Sequence, residues 1–477
     1  MRIFAAAAGA LLLASCSKPI DLPTHEFQVP APATWQGAEV EPNAPSAEWW
    51  TYFEDERLDA LIRKALSCNQ NLQAAAARID TAMEERIMAE AGKLPTLNLG
   101  ANRLRQRQNF VGLPFPGLSD RVLSNTFSNA GLSFNVDWEP DVWKRVSAQK
   151  LAGDATVHQR MADRHSAMLS LSGQAAKAWF AAVEARRQIA LAEEQLDNAR
   201  VTSTRTRQRY KFGSRSPVDV RVAEAEVARS VSVIRQREQL RDTFVRQLEL
   251  LACEYPAGDL AVASKLPDLK SRVPAGLPSE LVHRRPDLMA AEQALVAADA
   301  RIVQAKAALR PSFSLTTAAG TSSNTLLDLV NPGLRVWNLA AGLAMPLFNA
   351  GSLKANVRAT ESRAREAAAS YENRIWTAYL EVETALSTEG TLLEQERALQ
   401  DALASTHQAI KLAEKRYAAG LADIFTVLSL KRTALQTEST MLGLRRTRID
   451  NRIDLHLALG GGFGDGPDRP QQPGANP

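Results

Sequence analysis

Residues 128–138 read Ser128-Asn129-Ala130-Gly131-Leu132-Ser133-Phe134-Asn135-Val136-Asp137-Trp138. Ala130, Leu132, Phe134, Val136 and Trp138 fall on one side of an extended chain; Asn129, Gly131, Ser133, Asn135 and Asp137 fall on the other. A period of two marks a strand with one apolar and one wet face. Thr96–Gln106, with Leu97, Leu99 and Ala101, supplies its partner, and Asn109–Asn125, with Gly112, Pro114, Pro116 and Gly117, reads as the loop between them. The same arrangement recurs as Phe313, Leu315 and Thr317, a loop with Asn331-Pro332-Gly333, then Trp337, Leu339, Ala341, Leu343 and Met345. About ten residues per strand is enough to cross a bilayer at a tilt.

The recurrence extends beyond the strands. At a constant offset, Leu72 falls on Leu288, Ile87 on Val303, Ala89 on Ala305, Pro95 on Pro311 and Leu99 on Leu315. Further on, Arg209-Tyr210-Lys211-Phe212-Gly213 matches Arg416-Tyr417-Ala418-Ala419-Gly420, and Val220, Leu248 and Leu250 match Val427, Leu455 and Leu457. Two copies of one unit close around a shared axis.

After each hairpin the chain runs as a long helix. No proline occurs between Pro140 and Pro217, nor between Pro346 and Pro467. A heptad series runs through Val357, Ala364, Tyr371, Ala378, Ala385, Leu392 and Leu399. A second series holds Ala368, Ile375, Val382, Leu403, Ile410 and Tyr417, and it lapses at Glu389 and Glu396 near Gly390. Such a repeat implies supercoiled helices, and Ser352–Ala419 would reach roughly 100 Å. Each long helix ends at Tyr-x-x-Gly, where Gly213 and Gly420 suit the left-handed conformation of a helix end. Helix then resumes from Pro217 to about Ala252 and from Asp423 to about Leu459.

The division expected is 1–15 a signal peptide; 16–55 an extended Pro-rich strap; 56–253 the first repeat, with hairpin 96–138 and a turn at 210–217; 254–278 a linker; 279–460 the second repeat, with hairpin 312–347 and a turn at 417–423; and 461–477 a disordered tail. Ile3–Leu13 is too short to span a bilayer, and nothing else approaches the ~18 uninterrupted apolar residues that a spanning helix needs. Leu13-Ala14-Ser15-Cys16 resembles a bacterial lipobox, which implies diacylglycerol and fatty acyl groups on Cys16. Ser17 in place of Asp implies sorting to the outer membrane; an ordinary cleaved signal is the alternative.

The formal net charge of +4 singles out no partner. Arg205, Arg207 and Arg209 read as a solvated helix face rather than a nucleic-acid stripe. Cys68 and Cys253 could pair in an oxidising compartment, but the expectation is two unpaired thiols in Ala-rich helices. The six histidines, His25, His158, His165, His283, His407 and His456, have neither nucleophile nor ligand partner, and there is no phosphate loop. Glu193-Glu194 sits on a helix face, where solvation is the default. Neither catalysis, a metal nor a cofactor is expected.

Four strands cannot close a barrel, and an open edge in lipid leaves amides unsatisfied. Three copies would give twelve strands. The fold class expected is therefore mainly α with a small β part. Long coiled-coil helices would form a periplasmic α-barrel, and four strands per chain would contribute to a 12-stranded trimeric transmembrane β-barrel. Asn129, Ser133, Asn135, Asp137, Ser312, Ser314 and Thr316 would line the conduit.

His283-Arg284-Arg285-Pro286-Asp287-Leu288, then Ala291-Glu292 and Ala305-Lys306-Ala307-Ala308-Leu309-Arg310-Pro311-Ser312, resemble the signature of TolC-like outer-membrane efflux proteins. Trp138-Glu139-Pro140-Asp141-Val142-Trp143-Lys144-Arg145 resembles a segment of the NodT branch, outer-membrane lipoproteins of RND-type multidrug pumps; Lys144 stands where that branch has glycine. The resemblance implies a homotrimer, a periplasmic adaptor docked on the helical tip, a proton-driven inner-membrane pump behind it, and a tip closed at rest. Family members often carry acids just past the second turn, where this chain has Thr426 and Ser429. Arg432 matches a basic residue of some members, and Asp423 and Asp219 are the nearest acids. The gate expected is Arg432 with one of these aspartates, although helix-start aspartates are also favoured by the dipole alone. Tyr210, Gly213, Tyr417 and Gly420 are expected to face the adaptor, simple turn geometry being the other explanation for the glycines.

Two rival functions fit part of the chain. A structural or adaptor coiled-coil lipoprotein would explain the helices but not two amphipathic hairpins with Trp138 and Trp337 near strand ends. The exit duct of a protein secretion system would use the same tube.

Overall fold

The computed structural model describes residues 19–27, 29, 32, 34–36, 48–110, 123–214, 216–269, 278, 281–419, 421, 422 and 424–462. The signal segment with Cys16, much of the strap, part of the linker, Gly420, Asp423 and 463–477 lie outside the described residues.

The order of elements is α1 (Glu56–Cys68), α2 (Gln70–Ala91), β1 (Thr96–Phe110), β2 (Leu123–Trp138), α3 (Arg145–Lys211), α4 (Pro217–Leu251), α5 (Leu281–Arg284), α6 (Pro286–Ala307), β3 (Ser312–Ser323), β4 (Arg335–Ala344), α7 (Ser352–Ala418) and α8 (Ile424–Ala458). Helices α3 and α7 are each 67 residues long, and α4 and α8 are each 35. This equality is the repeat expressed as structure. Strands β1 and β2 run further toward their loop than the alternation predicts, because Arg103, Arg105 and Arg107 interrupt the apolar row without breaking the ladder.

Helix starts follow from capping. The Asp55 carboxylate accepts from the N–H groups of Arg57 and Leu58 and starts α1. Asp141 accepts from Val146 and Ser147 at 3.0 and 2.7 Å and starts α3. Just before that start, Lys144 sits at φ +59°, a left-handed conformation that glycine adopts without cost.

The chain divides into two compact units. The first, Met1–Glu26, Asp80–His158 and Gln293–Ala369, holds the sheet. Here the Trp143 indole donates to the Pro311 carbonyl at 2.6 Å, the Trp138 indole to Lys93 at 2.9 Å, and Arg145 chelates Glu139. Ala298, Ile302 and Ala364 pack α6 against α7.

The second unit is Phe27–Ile79, Gln159–Glu292 and Ser370–Pro477. Its main core joins Trp49, Trp50, Phe53, Leu58 and Ile62 to Trp179, Phe180, Leu248, Ile449 and Ile453. Ala175, Ala176, Ala178 and Ala182 of α3 are buried, so its neighbours come close; a Cβ on Gly173 would lie 2.6 Å from Leu457. In the heptad series Tyr371, Ala378, Ala385 and Leu392 are buried in this unit, as Val357 and Ala364 are in the first. The lapse at Glu389 and Glu396 is an ion ladder: Arg445 reaches Glu396 at 2.7 Å, Arg448 reaches both acids, and Arg452 reaches Glu389 at 2.7 Å.

Arg285 of the signature is buried and chelates Asp287, Glu381 and the Ala458 carbonyl. Burial raises the Asp287 carboxyl, but the hydrogen bond and charge of Arg285 outweigh it and hold the group below the usual range. This part of the motif is a structural clamp.

The expectation of unpaired thiols is corrected. Cys68, at the end of α1, and Cys253, just past α4, form a disulfide with Cα atoms 6.2 Å apart. Both helices converge on the main core, where Leu66 and Leu251 pack. That tertiary convergence brings together cysteines 185 residues apart.

Candidate functional site

The two hairpins form one antiparallel sheet in the order β1-β2-β3-β4. Its register sorts side chains by face, since directly opposed residues project to the same side. One face carries Leu97, Leu99 and Ala101, then Val136, Phe134 and Leu132, then Phe313, Leu315 and Ala319, then Leu343, Leu339 and Trp337. Leu97, Leu99, Phe134, Trp337, Leu339 and Leu343 are all more than half exposed. The opposite face carries Thr96, Asn98 and Gly100, then Asp137, Asn135 and Ser133, then Ser312, Ser314 and Thr316, then Gly342, Ala340 and Asn338. It is small and polar, with Asn135 donating to Ser133 at 3.2 Å and Ser322 to Asn129 at 2.9 Å.

This sheet has two open edges. Among the described residues β1 pairs only with β2, and β4 only with β3. A row of unpaired amides beside an exposed apolar face is untenable in hydrocarbon unless another chain supplies the missing strand. No described helix is long and apolar enough to cross a membrane.

The second candidate region is the pair of helix turns. After α3, Gly213 takes φ +71°, its N–H donates to the Tyr210 carbonyl, and the Ser214 N–H donates to the Arg209 carbonyl, both at 2.9 Å. These two bonds make a Schellman closure. After α7 the Leu421 N–H donates to the Arg416 carbonyl at 2.9 Å, the counterpart of the bond from Ser214 to Arg209. The Arg209 guanidinium lies 4.4 Å from the centre of the Tyr417 ring and donates to its hydroxyl, so the two turns touch. Phe212, Val218 and Leu421 project as strongly exposed apolar side chains. Sequence reasoning did not single them out, although an apolar residue flanking a Tyr-x-x-Gly turn is a signal that could have done so.

Beside the turns α4 and α8 flank a cleft of about 280 Å³ lined by Asp219, Glu226, Phe425, Ser429 and Arg432. Arg432 meets Glu226 at 3.4 Å, and Glu226 also receives Arg229 at 3.0 Å. Asp219 instead closes a capping box with Ser216 at the start of α4. Among the described residues the acid that Arg432 meets is Glu226. Thr426 and Ser429 are exposed on the first turns of α8. Arg207 reaches Glu224 and binds α3 to α4, Arg221 of α4 meets the same carboxylate, and the Arg207 hydrogen bond leads in lowering it. Lys431 reaches Glu414 at 2.7 Å, binding α8 to α7. Among the described residues no group of three His, Cys, Asp or Glu could hold a metal ion.

Comparison with known proteins places this geometry. The family model described as outer membrane efflux protein matches residues 61–252 and 277–461. The pyoverdine export outer membrane protein OpmQ of Pseudomonas putida is 30% identical over 471 residues, covering 96% of this chain and 97% of its own. The outer membrane protein OprJ of Pseudomonas aeruginosa is 31% identical over 477 residues, covering 96% and 95%. The solved outer-membrane channel OprN superimposes with a TM-score of 0.85 at 25% identity, covering 93% of this chain and 99% of that one.

Proposed function

The chain belongs to the outer membrane efflux protein family, and from that premise we propose that it is the outer-membrane exit duct of a tripartite efflux pump. The observation that carries this reading is the single four-stranded sheet, apolar on one face, small and polar on the other, and open at both edges. Three copies close twelve strands into a barrel whose polar faces line the bore. Lipid contacts Leu99, Phe134, Leu339 and Trp337. The two repeats, 56–253 and 279–460, surround the axis twice per chain. Conduction is passive and uses no cofactor; direction and energy come from an inner-membrane pump of the RND type, reached through a periplasmic adaptor. Cys16 carries the acyl anchor. Selection of cargo lies with the pump.

In this reading the adaptor docks on the turns, where Tyr210, Gly213, Tyr417 and Gly420 set the geometry and Phe212 and Leu421 offer apolar contact. The tip is held closed through Arg432, Thr426, Ser429 and the acids Asp219, Asp423 and Glu226, of which Glu226 meets Arg432. Fixed charges around a narrow axis do this because low-dielectric walls strengthen each interaction.

The test is conductance in planar bilayers. Wild-type protein is expected to give a small closed-state current, and Arg432→Ala a larger one. No channel from any correctly folded preparation would overturn the reading.

A further inference from the structure

The apolar face of the sheet does not end in neutral residues. In register, Trp337, Ala319, Phe134 and Leu99 make one row across the four strands. The next row away from the helices is Arg335, Thr321, Leu132 and Ala101, and the row after it is Ser323, Ala130 and Arg103. Beyond that only β1 and β2 continue, and on the same face they present Arg105 and Arg107. Four arginines thus stand on that side, one in each of the four successive rows past the last aromatic row, and all four are exposed. Arg107 is steadied by a 2.9 Å hydrogen bond to Ser124 of β2. The one acid in the four strands, Asp137, lies on the opposite face at the other end of the sheet.

On the opposite face Leu104, Phe127 and Phe110 alternate at the same level with Asn102, Gln106, Gln108 and Asn129. Past the last aromatic row neither face of the hairpin is continuously apolar, which marks where it leaves the hydrocarbon. The arginines stand at that boundary, at the end of the sheet remote from the helices. Longer loops mark the external end of such barrels, and here the loops are at that end.

Resting on the reading of this sheet as a barrel wall, we infer that Arg103, Arg105, Arg107 and Arg335 form a binding site for phosphorylated glycolipid headgroups of the outer leaflet. Guanidinium pairs phosphate bidentately and is readily desolvated, which suits an interface. The alternate spacing on β1 makes a ladder along the bilayer normal, so one headgroup with two phosphates spans two rungs. When the ring closes, β4 of one copy lies beside β1 of the next, so Arg335 joins the neighbour's ladder. The site then also bridges the seam between protomers.

The experiment titrates the full-length detergent-solubilised protein with lipid A bearing two phosphates, with its dephosphorylated form and with inorganic phosphate. Native mass spectrometry reads the bound lipid. Wild-type protein is expected to hold the bisphosphorylated lipid at least about tenfold more tightly than the dephosphorylated one. Arg103→Ser/Arg105→Ser/Arg107→Ser loses that preference, and the corresponding triple lysine variant keeps most of it. Added salt weakens binding, as exposed charge pairs require. A serine variant that binds within about twofold of wild type, or equal binding of the dephosphorylated lipid, would overturn the inference. Competition by millimolar inorganic phosphate would assign the arginines to small anions and overturn it too. Each preparation is first checked for trimeric assembly and bilayer conductance. Failure there condemns the barrel-wall reading, whereas conducting trimers without lipid preference condemn only this inference.

Discussion

Arg448 of α8 joins two carboxylates two turns apart, seven residues along α7: its Nε meets Glu389 at 2.9 Å and its Nη1 meets Glu396 at 3.1 Å. With side chains 11–18% exposed, the three groups are largely out of water. Removing one partner strands the others' charges in a low-dielectric seam. Glu396→Ala is expected to lower unfolding stability by about 3–5 kcal/mol. Replacing Glu396 and Arg448 together by Leu and Met should cost far less. Thermal unfolding in detergent checks both, and an additive double variant would refute the coupling.

His456 of the same helix is buried against Trp49, 5.4 Å away and stacked, and beside Tyr52. Burial, then the Arg452 charge, pushes its pKa down to about 3. The unfolded chain takes up this proton near pH 6.5 while the folded chain does not, so stability falls as pH drops from 6.5 toward 3. Between pH 6.5 and 5 the loss is about 2 kcal/mol. Asp450, raised by burial to about 6 against the Arg446 charge, acts in the opposite direction: its contribution is present at low pH and is lost as pH rises through 6. The His456 contribution is therefore read as wild type minus His456→Leu across pH, and a flat difference would contradict it.

The Cys68–Cys253 bond closes a separation of 185 residues beside the main core. Cys68→Ser/Cys253→Ser, and equally reduction of the wild type, is expected to lower stability by about 2–5 kcal/mol. Free-thiol counting before and after reduction, paired with melting curves, makes the check. Two titratable thiols in unreduced protein would contradict the bond.

Lys144 holds φ +59° at the start of α3. A β-branched residue tolerates that conformation poorly. Lys144→Val should therefore lower the melting temperature, and Lys144→Gly should leave it unchanged or raise stability by up to about 1 kcal/mol. The opposite ranking would show that the left-handed turn is absent in solution.

Arg432 gives a functional prediction. Arg432→Ala and Glu226→Gln each remove one side of the 3.4 Å pair. Each is expected to raise closed-state conductance, and the double variant should add little to either. Unchanged currents in both would leave the pair no part in closure.

What the sequence made legible is what is periodic or local. Alternation in Ser128–Trp138 gives a strand, heptads from Val357 give a long helix, and Tyr210 to Gly213 gives a turn. What it hid depends on partners far along the chain. Glu389 and Glu396 read as a lapse in a heptad because their arginines lie more than forty-eight residues on, at Arg445, Arg448 and Arg452. The union of two hairpins into one sheet rests on β2–β3 pairing, which has no local signal. The arginine ladder of β1 blurred its own strand, since charged residues took the apolar positions. At the tip, Tyr210 and Tyr417 were visible, but the choice of Glu226 for Arg432 is set by how α4 and α8 pack.

The central claim is that this sheet is a share of a trimeric membrane wall. Cys16→Ser protein, freed of any acyl group, tests it by light scattering with and without detergent. The account predicts three chains per particle, held in solution only by detergent. A monodisperse single chain in plain buffer would contradict it.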